Sequence, residues 1–211
     1  MTLQIIYLHG FQSSSASQKA QQLRHYLQQG FAAQALNQAI QLYCPDLNQP
    51  PRQGLSSLRQ YIAQAITQNK VALIGSSLGG FYAHILAAEF DLAAVLINPA
   101  MQPWHLFARL FGVAQLPYQV TANWTLDATQ LEHLAQMAQI QHANPQKILV
   151  LLQTGDEVLD YAEAERYYRQ AHQAAVMITQ TGGDHAMLNF AEKIPFALRF
   201  LGNTFAVEKG K

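Results

Sequence analysis

The sequence predicts one α/β domain spanning residues 1–211, with a mostly parallel sheet of about six strands and helices on both faces. Three observations carry this. Short apolar runs alternate with longer helical patterns, most of the runs are apolar on both faces, and no internal repeat or low-complexity linker divides the chain. The runs are Leu3 to Leu8, Ile40 to Cys44, Val71 to Ile74, Leu92 to Ile97, Ile148 to Leu152 and Ala175 to Ile178. Consecutive apolar residues are what strands covered by helices on both sides require. The helical stretches are Ser17 to Gln29, Leu55 to Gln68, Leu78 to Glu89, Tyr161 to Gln173 and Ala186 to Leu201. In the second, Leu55, Leu58, Ile62, Ala65 and Ile66 recur at helical spacing. From Met101 to Gln146 no run reads as a strand, and the segment is too long for an ordinary α/β connection. A helix from Ala128 to Gln141, capped by Asp127 and ending before Asn144-Pro145, marks residues 101–146 as a helical cap insertion. Extra helices packed on the side of the domain are the alternative.

Composition excludes several classes. Lys plus Arg number 13 and Asp plus Glu number 13, so there is no formal net charge and no basic excess to hold nucleic acid. Charged residues make up 12% and hydrophobic ones 50%, which argues against a disordered chain. Gln, about one residue in eight, solvates the surface instead. The single cysteine, Cys44, forms no internal disulfide, and no apolar run is long enough for a membrane span. The N-terminus lacks a basic segment and a sufficiently long apolar one for a signal peptide. The expectation is a soluble cytoplasmic protein.

The chemistry centres on Gly75-Ser76-Ser77-Leu78-Gly79-Gly80, between the run Val71 to Ile74 and the helix opening at Leu78. This is G-x-S-x-G in strand-turn-helix context. A serine on so tight a turn has its hydroxyl thrust into the open, and the residues two before and two after it come too close for side chains. Ser77 alone has glycine at both positions, so it is the candidate nucleophile and Ser76 the rival. A serine hydroxyl needs a base. Of eight histidines, His185 follows the last strand-like run on a Gly182-Gly183 turn that can return an imidazole over the strand ends. His84, about 10 Å down the helix from Ser77, reads as a packing residue. His25, His133, His142 and His172 read as surface groups, and His105 is a weak candidate for substrate contact.

The base needs an acceptor that fixes its tautomer. Asp156 is the first acid past the run Ile148 to Leu152 and follows a glycine. Asp160 suits the cap of the helix at Tyr161, and Glu157 is expected to point to solvent. The order Ser77, Asp156, His185, with gaps of 79 and 29 residues, is that of the α/β-hydrolase sheet. Leu78, at a helix N-terminus, offers one backbone N–H to an oxyanion. The loop after the first run, Leu8-His9-Gly10-Phe11, offers a second at Phe11, with the His9 ring expected to bond backbone in the turn. Trp104, Leu106, Phe107, Phe111 and Trp124 suit either an acyl-chain wall or the insertion's own core; Trp104 and Phe107 are the candidate substrate contacts. Arg52, Arg109 and Lys19 could each act locally on a charged substrate.

Leu8-His9-Gly10-Phe11, Gly75 to Gly80, Asn98-Pro99-Ala100, Gln153 to Tyr161 and Gly182-Gly183-Asp184-His185 together resemble the YqiA/YcfP-type esterases, a small bacterial branch of the α/β-hydrolase superfamily. Thr154-Gly155-Asp156-Glu157-Val158-Leu159-Asp160-Tyr161 is the most specific part. The resemblance implies a carboxylic ester or thioester hydrolase without cofactor or metal. It implies Ser77 as nucleophile, Asp156 as acid and His185 as base, on a sheet lacking the two antiparallel leading strands of larger relatives. The partner expected is a small-molecule ester or thioester with a short- to medium-chain acyl group. The alternatives are a lyase or amidase on the same fold, and a non-catalytic binding module.

Overall fold

A computed structural model describes residues 2–112, 116–139, 143–170 and 175–207. In chain order the elements are β1 (Leu3–Leu8), α1 (Gln18–Gln28), α2 (Phe31–Leu36), β2 (Ile40–Tyr43), α3 (Pro51–Ala65), β3 (Lys70–Ser76), α4 (Leu78–Phe90) and β4 (Ala93–Ile97). There follow α5 (Pro103–Phe111), β5 (Tyr118–Thr121), β6 (Trp124–Leu126), α6 (Ala128–Met137), β7 (Ile148–Gln153), α7 (Tyr161–Gln170), β8 (Val176–Gln180) and α8 (Phe190–Val207).

Six strands form one sheet in the order β2-β1-β3-β4-β7-β8, and every pairing within it is parallel. The two-residue period of the strands divides the core in two. Ile6, Leu8, Leu73, Leu96, Val150 and Leu152 face α3 to α7, whereas Leu3, Ile5, Ile74, Val95, Leu149 and Leu151 face α1, α2 and α8. This is why the central strands read as unbroken apolar runs. The edge strands β2 and β8 are only partly covered and carry polar residues among apolar ones. Helix α4 lies under the sheet centre and is buried from Leu78 to Ala87, so it shows no polar stripe. Among the described residues no helix is long and apolar enough to cross a membrane.

Several boundaries move from the sequence reading. α3 begins at Pro51, because proline fits a first helical turn whose N–H has no partner. α8 begins at Phe190 rather than Ala186; turn bonds from Met187 to Asp184 and from Phe190 to Met187, with Met187 at φ 46°, occupy the intervening residues. The short helix α2 was not expected. The proposed helix ends at Gln141 and Gln173, with His142 and His172, lie outside the described residues.

The expectation that residues 101–146 hold no strand is overturned. β5 and β6 pair antiparallel around Ala122-Asn123, with Thr121 opposite Trp124. The hairpin is short, and its alternation shows only in β6, where Trp124 and Leu126 are buried and Thr125 is exposed. α5 packs on α6, and α6 on α3. Leu106, Phe107, Trp124, Leu126, Leu131 and Leu134 all join the core on the α3–α4 face. Each such buried side chain contributes about 1.5–3 kcal/mol.

Candidate active site

Five loops meet at the C-terminal edge of the sheet, where open α/β sheets bind ligands. They bring Gly10 past β1, Ser77 past β3, Asn98 past β4, Asp156 past β7 and His185 past β8. The turn at Ser77 has φ 55° and ψ −120°, a conformation that non-glycine residues adopt only under constraint. The constraint is visible. The Ser77 N–H donates to the Ile97 carbonyl at 3.0 Å, and the Ser77 carbonyl accepts from Ala100 N–H at 3.1 Å. A Cβ at Gly75 would overlap the Gly79 carbonyl, and one at Gly79 the Leu8 carbonyl.

His185 Nε2 lies 3.1 Å from Ser77 Oγ, and His185 Nδ1 lies 2.8 and 2.9 Å from the two Asp156 oxygens. The Asp156 side chain is 1% exposed and that of His185 is 20%. Asp156 Oδ1 also accepts from the Val158 and Leu159 N–H groups at 2.9 and 2.8 Å, so the carboxylate is aimed before the imidazole meets it. With Nδ1–H directed at Asp156, Nε2 presents its lone pair to the Ser77 hydroxyl. The rival Ser76 is buried beside the Tyr7 hydroxyl, and among the described residues the His185 ring bonds Ser77 rather than Ser76. Burial pushes the Tyr7 phenol up to about 12, so it stands there as a neutral partner.

The other candidates separate. His84 bonds Tyr168 and Tyr167 at 2.8 and 3.0 Å, tying α4 to α7. His9 is 1% exposed; its Nε2 accepts from Leu47 N–H at 2.9 Å, so its Nδ1–H donates to the Gly10 carbonyl at 2.8 Å. Asp160 accepts from Ala162 N–H at the start of α7. His105 is exposed and bonds Gln102. The amides of Phe11 and Leu78 make no hydrogen bond among the described residues, and Gly10 is close enough to Ser77 that a Cβ there would sit 3.2 Å from the Ser77 Cβ. Phe107 does not line the cleft at Ser77. It is 1% exposed and packs on the Phe11 ring at 4.5 Å, beneath the loop rather than on its open side. Trp104, partly buried, is not among the described residues that line the cleft with Lys19, and it packs on Phe81 and His105. Arg52 and Arg109 are engaged with Gln136 and the Val158 carbonyl, and only Lys19 reaches the cleft. Among the described residues no group of three His, Cys, Asp or Glu side chains is arranged to hold a metal ion.

What the sequence reading missed is the frame around His185. Asn98 Nδ2 donates to the carbonyls of Asp184 and His185, both at 3.1 Å, while its Oδ1 accepts from Gln153 N–H at 3.0 Å. Gln153 Oε1 accepts from Asp184 N–H at 2.9 Å, and Glu157 Oε2 from His185 N–H at 2.9 Å. Glu157 therefore does not simply face solvent: the His185 amide, and then its own, hold its carboxyl below the usual carboxylate range. The peptide groups of residues 184 and 185 are thus held by side chains from two other segments, the loop after β4 and the end of β7 with the loop that follows it. Gln153→Leu leaves the Asp184 N–H without its acceptor, an expected cost of about 1–3 kcal/mol. Thermal unfolding followed by circular dichroism should show Tm lower by about 5 °C.

A wholly parallel sheet with a serine on a strand-to-helix elbow, and an acid and a histidine after the next strands, defines an α/β-hydrolase fold. Solved structures agree on that fold. Est1E from Butyrivibrio proteoclasticus, in a structure with ferulic acid bound, superposes with a TM-score of 0.68 at 16% identity, covering 100% of this chain and 90% of that one. A putative hydrolase from Agrobacterium vitis S4 gives 0.67 at 17%, covering 97% and 87%. The esterase domain of a Rhodothermus marinus protein gives 0.63 at 16%, covering 95% and 85%. The chain itself belongs to the YqiA-like family described as Uncharacterised protein family (UPF0227), whose model matches residues 4–202.

Proposed function

We propose that the protein is a serine hydrolase that cleaves carboxylic esters or thioesters of short- to medium-chain acyl groups through an acyl-enzyme. The observation that carries this reading is the continuous line from Ser77 Oγ through the His185 ring to Asp156, with contacts of 3.1 and 2.8 Å. His185 Nε2 takes the Ser77 proton as Oγ attacks the carbonyl carbon. The amides of Phe11 and Leu78, without protein partners among the described residues, receive the tetrahedral oxyanion. His185 then protonates the leaving alcohol or thiol, and water repeats the steps to release the acid. Asp156 stays ionised throughout and holds the Nδ1–H tautomer. Esterase names among proteins of the same fold are consistent with this chemistry.

A fluorophosphonate probe tests the reading. The expected result is one covalent adduct on the peptide containing Ser77, absent from Ser77→Ala. No adduct, or an adduct on another serine, overturns the assignment.

A further inference from the structure

The cleft that opens on Ser77 and His185 has a volume of about 240 Å³. Ser13, Ser17, Lys19 and Ser76 contribute polar lining, and Phe11 and Ala186 contribute apolar lining. Of the aromatic side chains that could have walled an acyl chain, Phe107 and Trp124 are 1% and 3% exposed, inside the core, and Trp104 and Phe111 are partly buried and not among the residues lining this cleft. Whatever part of a substrate fills this cleft meets one ammonium group and several hydroxyls beside the apolar Phe11 and Ala186.

Lys19 is the single lysine or arginine of the lining. Its Nζ donates to the carbonyl of Ala186, the residue directly after His185. That uses one of its three protons. Asp184 attracts it, but the two form no ion pair among the described residues. The first turn of α1 contains no acidic side chain to add to that attraction. Burial draws the ammonium below its ordinary pKa in spite of Asp184, so desolvation outweighs the compensation that the protein supplies. A half-buried cation whose nearby carboxylate, Asp184, makes no ion pair with it keeps donors that an anion delivered by a ligand can use.

We propose that Lys19 forms an anion subsite beside Ser77, so that the esters turned over best carry a carboxylate or phosphate that reaches into this cleft. The proposal rests on the hydrolase reading above and names the substrate class of that same site.

Two matched ester pairs test it. 4-Nitrophenyl hydrogen adipate against 4-nitrophenyl hexanoate puts a carboxylate on the acyl side. 4-Carboxyphenyl hexanoate against 4-carbamoylphenyl hexanoate puts one on the leaving group. In at least one pair the wild-type protein is expected to favour the anionic member by about ten-fold in kcat/KM, an advantage that shrinks as ionic strength rises. Lys19→Met should bring that ratio to about one, and Lys19→Arg should keep part of it. A wild-type ratio at or below one in both pairs overturns the subsite, as does a preference that survives in Lys19→Met. The wild-type ratio requires no variant, so a misfolded Lys19→Met leaves the proposal exposed to refutation. Turnover of the neutral esters without anionic preference removes only the subsite. Absence of turnover of all four esters removes the hydrolase reading and the subsite with it.

Discussion

Ser77→Ala is expected to lower kcat on 4-nitrophenyl butyrate by about 10⁴- to 10⁶-fold. The change removes one oxygen and keeps the backbone that the elbow dictates. The Ser77 N–H still reaches Ile97 and its carbonyl still accepts from Ala100, so Tm should move little. Asp156→Asn separates geometry from charge. An amide has the shape of the carboxylate but can direct an N–H at His185 Nδ1, which would move the ring proton to Nε2 and leave no lone pair for the serine. The expected loss is about 10⁴-fold in kcat with the fold retained. Steady-state kinetics beside circular dichroism check both variants. Wild-type turnover by Ser77→Ala would refute the nucleophile assignment.

Gly79→Ala is expected to destabilise the protein by more than about 4 kcal/mol, a size reached only through a few mechanisms, a backbone clash in the core among them. Helix propensity alone predicts the opposite sign, since alanine is favoured over glycine in a helix by about 1 kcal/mol. The decision lies with the Leu8 carbonyl, which the new Cβ would overlap. That carbonyl cannot move away cheaply, because Leu8 is paired with Gly75 of β3 and β1 is held by β2 as far as Ile6. Tm should fall by about 10 °C or more, or the variant should fail to fold. Gly54→Ala in α3 is the matched control. Its Cβ would meet only the flexible Gln49 side chain, at 3.5 Å, so propensity should win and stability should rise by up to about 1 kcal/mol. Equal stability of Gly79→Ala and wild type in thermal unfolding would contradict the packing argument.

The parts of the fold that were legible in the chain are those whose physics is local or periodic. Strands covered on both faces are apolar at most consecutive positions, and β1, β3, β4 and β7 read accordingly, with Gln4 in β1 the interior exception. Ser77 stood out because a strained elbow admits only glycine two residues to either side. The hairpin β5–β6 escaped notice because its two strands have four and three residues, too few for a period to show. Phe107 was ambiguous for another reason. An aromatic side chain on an amphipathic helix has the same pattern whether it meets a ligand or another ring, and here it meets Phe11.

By itself the sequence determined the parallel α/β layering, the elbow and the chain order of the serine, acid and histidine. Each follows from constraints acting within a few residues or from a pattern repeated along one element. Only the tertiary structure decided which groups surround His185. Asn98, past β4, and Gln153 and Glu157, at the end of β7 and just past it, are joined at residues 184 and 185 by hydrogen bonds that leave no periodic mark. The same holds for Lys19, one of three cations the sequence left undistinguished until the sheet sets the first turn of α1 against the Ala186 carbonyl and exposes its charge to the cleft at Ser77.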